Sequence, residues 1–193
     1  PDDIHGCGNF VIPVKGSRTD APAALIYGFD SNDYPENTLT FGHYDRVRYD
    51  QIRWYRRQSR QFTAANQGQP LPALAFLHIP LPEYAQVIGE NTTIGHGNRG
   101  KSRISPVLNS GLFSSMDDMG DVMGVFAGHI HSFDYIGTHY GIALGFGRAT
   151  GSEAECPIER GGRIIELVEG AFRFDTWIGT PSGTEMYYYY PSG

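Results

Sequence analysis

Residues 120–135 read GDVMGVFAGHIHSFDY, an unbroken apolar run that stops at Gly128 and delivers two histidines, His129 and His131, two residues apart. Val122–Ala127 is too short for a buried helix and has the length and composition of a strand buried on both faces. Leu74–Leu77 behaves the same way and runs into His78. Pro80 and Pro82 follow at once, and because proline cannot donate to a ladder the strand must end within a residue or two of His78. Ala23–Phe29, closed by the polar Asp30–Asp33, is a third such strand.

Between these strands the periodicity changes. From Asp50 to about Asn66, Ile52, Tyr55, Ser59 and Phe62 fall on one helical stripe, with Asp50 as N-cap and Gly68 and Pro70 as stop signals. Arg53, Arg56, Arg57 and Arg60 occupy the rest of that helix and read as a solvated face, although with Arg46 and Arg48 they also have the makings of an anion patch. A short amphipathic helix is expected over about Ser110–Met119. After Ala127 only strands are expected, over Tyr140–Phe146, Arg163–Val168 and Phe172–Ile178, the last two as a hairpin around Glu169-Gly170. The run Tyr187–Tyr190 reads as an edge strand or a terminal segment that covers a core. Helices among the early strands and strands alone later predict an α/β layered domain with a mixed sheet.

The chain has 193 residues, enough for one domain. It carries 21 acidic against 15 basic residues, a net charge of -6. That balance disfavours nucleic acid as partner and favours small molecules or proteins. No stretch has the roughly 18 uninterrupted apolar residues of a membrane span. Cys7 and Cys156 lack the paired spacing of a zinc ligand set. Two separate buried thiols are expected, with a disulfide as the alternative.

In extended chain, side chains two apart point to the same side, so His129 and His131 would aim both imidazoles at one point. Gly128 leaves room for a close approach, and strand ends are where an α/β sheet puts its chemistry. His78 ends another buried strand, so three histidines from two strands form a candidate metal site.

The motifs "LAFLHIPLPEY", "LNSGLF", "GVFAGHIHSFDY" and "GIALGFGRATG", in that order, resemble the later motifs of the calcineurin-like metallophosphoesterases, the superfamily that includes purple acid phosphatases. They are most similar to the subgroup typified by the Dcr2 phosphatase and plant purple acid phosphatase 29. The resemblance runs from about Ile4 to Ile178. It implies a four-layer αββα sandwich with a dinuclear metal centre at the sheet ends. His78 and His129 would bind one metal and His131 the other. Paired iron, zinc or manganese ions about 3.5 to 4 Å apart would then clamp a phosphoryl oxygen and supply a hydroxide for in-line attack.

The family's earlier half has no counterpart here. Its Asp-x-His, Gly-Asp-x-x-Asp or Tyr, and Gly-Asn-His motifs supply the first ligand, the bridging carboxylate and the asparagine ligand. Asp3-Ile4-His5 matches the first only as letters, since no apolar strand precedes it. Residues 1–193 therefore resemble the C-terminal part of a phosphoesterase domain, the α/β mixed-sheet half of the αββα sandwich. Three neutral imidazoles without a bridging carboxylate cannot hold two multiply charged ions close together. The expectation is a dinuclear phosphoesterase as parent protein, and a chain inactive alone that holds at most one metal ion. A phosphoester small molecule or phosphoprotein is the implied substrate, a secreted or periplasmic location is implied, and exposed core faces are expected to allow self-association. The competing readings are a non-catalytic binding module and a mononuclear zinc hydrolase with Glu83 as base.

Further candidates are weighed singly. His96 is either the proton donor to the leaving group or an ordinary loop histidine. Asn109 either caps the helix that follows or faces substrate. Arg148 pairs either with a phosphate or with an acid such as Asp134. His43 and His139 read as ordinary polar positions.

Overall fold

In the computed structural model, which describes residues 3–87, 94–97, 104–152 and 155–191, the apolar runs form the parallel centre of a seven-stranded sheet. Its strands are β1 (Phe10–Lys15), β2 (Pro22–Gly28), β3 (Ala73–Leu77), β4 (Ile94–Gly97), β5 (Val122–Ala127), β6 (Phe133–His139) and β7 (Ile142–Phe146), in the order β1-β2-β3-β5-β7-β6-β4. Neighbours among β2, β3, β5 and β7 are parallel. The flanking β1, β6 and β4 pair antiparallel. A second sheet, order β10-β9-β8, is built from β8 (Gly162–Leu167), β9 (Phe174–Thr180) and β10 (Gly183–Tyr190).

Four helices complete the inventory among the described residues: α1 (Thr38–Phe41), α2 (Tyr49–Ala65), α3 (Tyr84–Val87) and α4 (Leu112–Met119). The period-2 alternation of each central strand divides its side chains between two cores. Leu25, Tyr27, Ala75, Val125 and Leu144 pack with Ile52, Trp54 and Tyr55 of α2 and Met116 of α4. Leu74, Met123, Phe126 and Ile136 face the other way and pack with Phe174 and Tyr188 of the small sheet. The result is a mixed α/β sandwich, consistent with the calcineurin-like metallophosphoesterase fold. Of the four expected layers, the described residues supply a helical layer and two sheets. The outer face of the small sheet leaves Tyr187 and Tyr189 exposed.

The hairpin at Glu169-Gly170 forms as expected, with Gly170 at φ 79° in the left-handed region. The Tyr187–Tyr190 run is part of edge strand β10. Other expectations need correction. Strand β6 and β1 were not expected, and β4 lies where the sequence predicts only loop. Asp50 does not cap α2; Arg48 holds the N-cap position, and its backbone N–H donates to the Gln51 side chain at 2.7 Å. Neither cysteine is buried or bonded: Cys7 is exposed and Cys156 half-buried, both as free thiols.

Along one flank the sandwich is open. Phe10 and Ile12 of β1 are 43% and 50% exposed, and β8 pairs only with β9 among the described residues. Between them lies a trough of about 530 Å³ lined by Phe10, Phe76, Phe126, Arg163 and Ile165. Gly28 of β2 lets the Phe10 ring lie across it, since a Cβ there would come within 2.3 Å of that ring and push it aside.

Candidate functional site

Parallel strands β3 and β5 are direct neighbours, with Leu77 opposite Ala127, so His78 and Gly128 follow side by side at the same sheet edge. The backbone N–H of Gly128 donates to the His78 carbonyl at 3.2 Å, which extends the ladder one step past the strands. Beyond His78, Ile79 N–H donates to Ser31 Oγ at 2.9 Å and ties the turn to the loop after β2. A Cβ on Gly128 would lie 3.3 Å from His78 Nδ1, tighter than an ordinary contact, so the glycine makes room for that imidazole.

After Gly128 the chain leaves extended geometry. His129 has φ 73°, and Ile130 N–H closes back on the Gly128 carbonyl at 2.9 Å. A non-glycine residue in this region stores backbone strain, of a kind that clusters at functional positions. The same-side argument for His129 and His131 therefore fails, because the chain between them is not a strand. His78 and His129 do meet, their ring centroids 5.2 Å apart at 83°. Tyr44 packs edge-on against His129, at 4.6 Å and 90°. His131 is exposed, and the Cys156 thiol lies 3.1 Å from its carbonyl oxygen.

His129 is the electrostatically distinctive member. Burial, and then the nearby charges of His78 and His131, hold its pKa below the ordinary histidine value. Its Nε2 is buried and has no hydrogen-bond partner among the described residues. A neutral imidazole with a buried, unpartnered nitrogen is in the protonation state that ligates a metal. The donor set is nevertheless incomplete: among the described residues no group of three or more His, Cys, Asp or Glu side chains is arranged to hold a metal ion. Two imidazoles fit such a site; among the described residues nothing closes it.

The other candidates are committed elsewhere. Asn109 does not serve as N-cap of α4, where Gly111 stands in the left-handed region; its Oδ1 accepts from Gly111 N–H at 2.9 Å and its Nδ2 donates to Glu83 Oε1 at 2.6 Å. Of the two partners weighed for Arg148, the structure shows the acid. The Arg148 guanidinium, buried in the core, pairs with Asp134 and with Glu185 at 2.7 Å, and donates to the Glu159 carbonyl at 2.6 Å. His96 sits on β4 opposite Asp134, and its side chain lies outside the described residues. His43 packs edge-on against Tyr34 and Tyr44, and His139 packs on Phe113 and Tyr140. Tyr44 is the residue that sequence reasoning missed, and no motif marks it.

No family model matches the chain. Individual relatives do. It is 33% identical over 186 residues to the "Probable inactive purple acid phosphatase 29" of Arabidopsis thaliana, covering 90% of this chain and 47% of that protein. It is 30% identical over 188 residues to that plant's "Probable inactive purple acid phosphatase 28", covering 91% and 45%. The chain is homologous to the purple acid phosphatase and Dcr2-like metallophosphoesterase superfamily. To "Phosphatase DCR2" of Saccharomyces cerevisiae it is 27% identical over 144 residues, covering 69% of this chain and 23% of the yeast protein. The chain thus spans less than half the length of each of these metallophosphoesterase relatives.

Proposed function

We propose that this chain is the histidine-bearing part of a metal-dependent phosphoester hydrolase and is inactive by itself. The observation that carries the reading is the meeting of His78 and His129 at adjacent strand ends, with the Nε2 of His129 buried and unpartnered. Homology to metallophosphoesterases supplies the reaction class. A metal bound here would supply Lewis-acid activation of a phosphoryl oxygen. This chain's residues contribute less than that. His78 and His129 provide two imidazole donors, Gly128 makes room for the ring of His78, and Tyr44 packs against the ring of His129. His131, two residues on, is the third donor that the family resemblance assigns, and carboxylates from outside this chain would complete the set.

The natural substrate on this reading is a phosphoester small molecule or a phosphoprotein. A second reading, a non-catalytic module that retains a histidine pair, is favoured by the incomplete donor set and by the word "inactive" in the names of its plant relatives. The test is an aryl phosphate assay on the purified 193-residue chain with zinc, manganese or iron added. No turnover above the metal-only blank is expected. Turnover abolished by His129→Ala would show that the chain carries a complete site and would refute the half-site reading.

A further inference from the structure

Helix α2 presents Arg53, Arg56, Arg57 and Arg60 at spacings of three and four residues, so their side chains lie along one stripe. Arg56 pairs with Asp118 at 2.9 Å. Arg53, Arg57 and Arg60 are exposed and have no acidic partner among the described residues; Arg53 lies over the ring of Tyr49 at 5.9 Å. Arg53 and Arg57, like Arg56 and Arg60, are like-charged pairs at i,i+4, which oppose the helix they stand on. In a chain of net charge -6 this stripe is a local reversal of sign.

The stripe is not simply a solvated face. It lines a groove of about 640 Å³ together with Asp3, Ile4, Ser110 and Ser115. Asp50 lines it as well, but both of its carboxylate oxygens are taken, by the backbone N–H groups of Gln51 at 2.9 Å and His5 at 2.7 Å. The lining therefore holds four guanidinium groups, one of them paired with Asp118, against the carboxylates of Asp3 and Asp50. Two serines and three guanidinium groups without an acidic partner among the described residues match phosphate oxygens better than carboxylates alone, since each guanidinium can donate two parallel hydrogen bonds and a phosphoryl group carries up to two charges.

We propose that this groove binds a phosphorylated polypeptide segment. The stripe is about 10 Å long at 1.5 Å per residue, the reach of a few extended residues, and the acidic remainder of the surface repels a long polyanion. The binding claim stands on the groove alone; its use as a docking site for a phosphoprotein substrate rests on the hydrolase reading above.

The test is fluorescence anisotropy of the intact chain with a labelled peptide of about ten residues carrying two phosphoserines, its unphosphorylated form, and a labelled single-stranded oligonucleotide. The phosphopeptide is expected to bind, and more weakly as salt is raised. The triple variant Arg53→Gln, Arg57→Gln, Arg60→Gln should weaken it by at least about tenfold, while Arg18→Gln, outside the groove, should not. If the triple variant melts early by circular dichroism, the single variant Arg57→Glu is expected to weaken binding in the same direction. Equal binding of the unphosphorylated peptide, insensitivity to the arginine variants, or no binding would overturn the proposal, as would an oligonucleotide that binds as tightly. None of these readouts depends on turnover, so the groove and the hydrolase reading fail separately.

Discussion

At the scale of single residues, His129 concentrates the argument. Its lowered pKa means that the folded chain resists a proton which the unfolded chain accepts near 6.5. Stability contributed by the neutral ring is therefore present above that value and is lost as pH falls below it, until the folded group also protonates. Thermal melts are expected to show a midpoint that drops below pH 6.5, and His129→Gln should flatten that drop; a wild-type midpoint that rises over the same range would contradict the electrostatic account. What the sequence conveyed here is uneven. The approach of His78 to His129 was legible because both end buried strands stopped by proline or glycine, and those strands turn out to be neighbours. The position of His131 was not, because nothing in Gly-His-Ile-His announces the left-handed φ at His129 that breaks the alternation.

At the scale of elements, α2 is fixed to the sheet by a buried polar cluster at the opposite strand ends. Asp121, 1% exposed at the start of β5, accepts from Tyr55 of α2 at 2.5 Å and from Tyr27 of β2 at 3.1 Å. Burial raises the pKa of the carboxyl, while these hydroxyls oppose the rise, and burial beside Asp121 raises both tyrosines. Tyr55→Phe removes one donor from a buried acid and is expected to cost about 1–3 kcal/mol in urea unfolding; a neutral substitution would mean the cluster does not anchor the helix. The helix itself was legible from its stripe, but Gln51 and Trp54, both buried, lie off the positions that period marks. The strands hidden from sequence were flanking ones. β6 carries Asp134 in the core, which only the Arg148 partnership fourteen residues later makes tolerable, and β1 contains Pro13 and is half exposed.

At the scale of the whole molecule, the fold is a sandwich with one flank open. An exposed apolar sheet face beside an unpaired strand edge favours association. Sedimentation velocity is expected to show a concentration-dependent shift toward larger species, reduced by Ile12→Lys; a sharp monomer boundary at all concentrations would mean the flank is indifferent to company. The same opening fits a chain that spans under half the length of its relatives. The most direct test is to read the coding sequence immediately upstream of Pro1. The account predicts an apolar strand ending in Asp-x-His, then Gly-Asp-x-x-Asp or Tyr, then Gly-Asn-His. An upstream sequence without those acids, or none at all, would contradict the hydrolase reading and leave the histidine pair to a non-catalytic module.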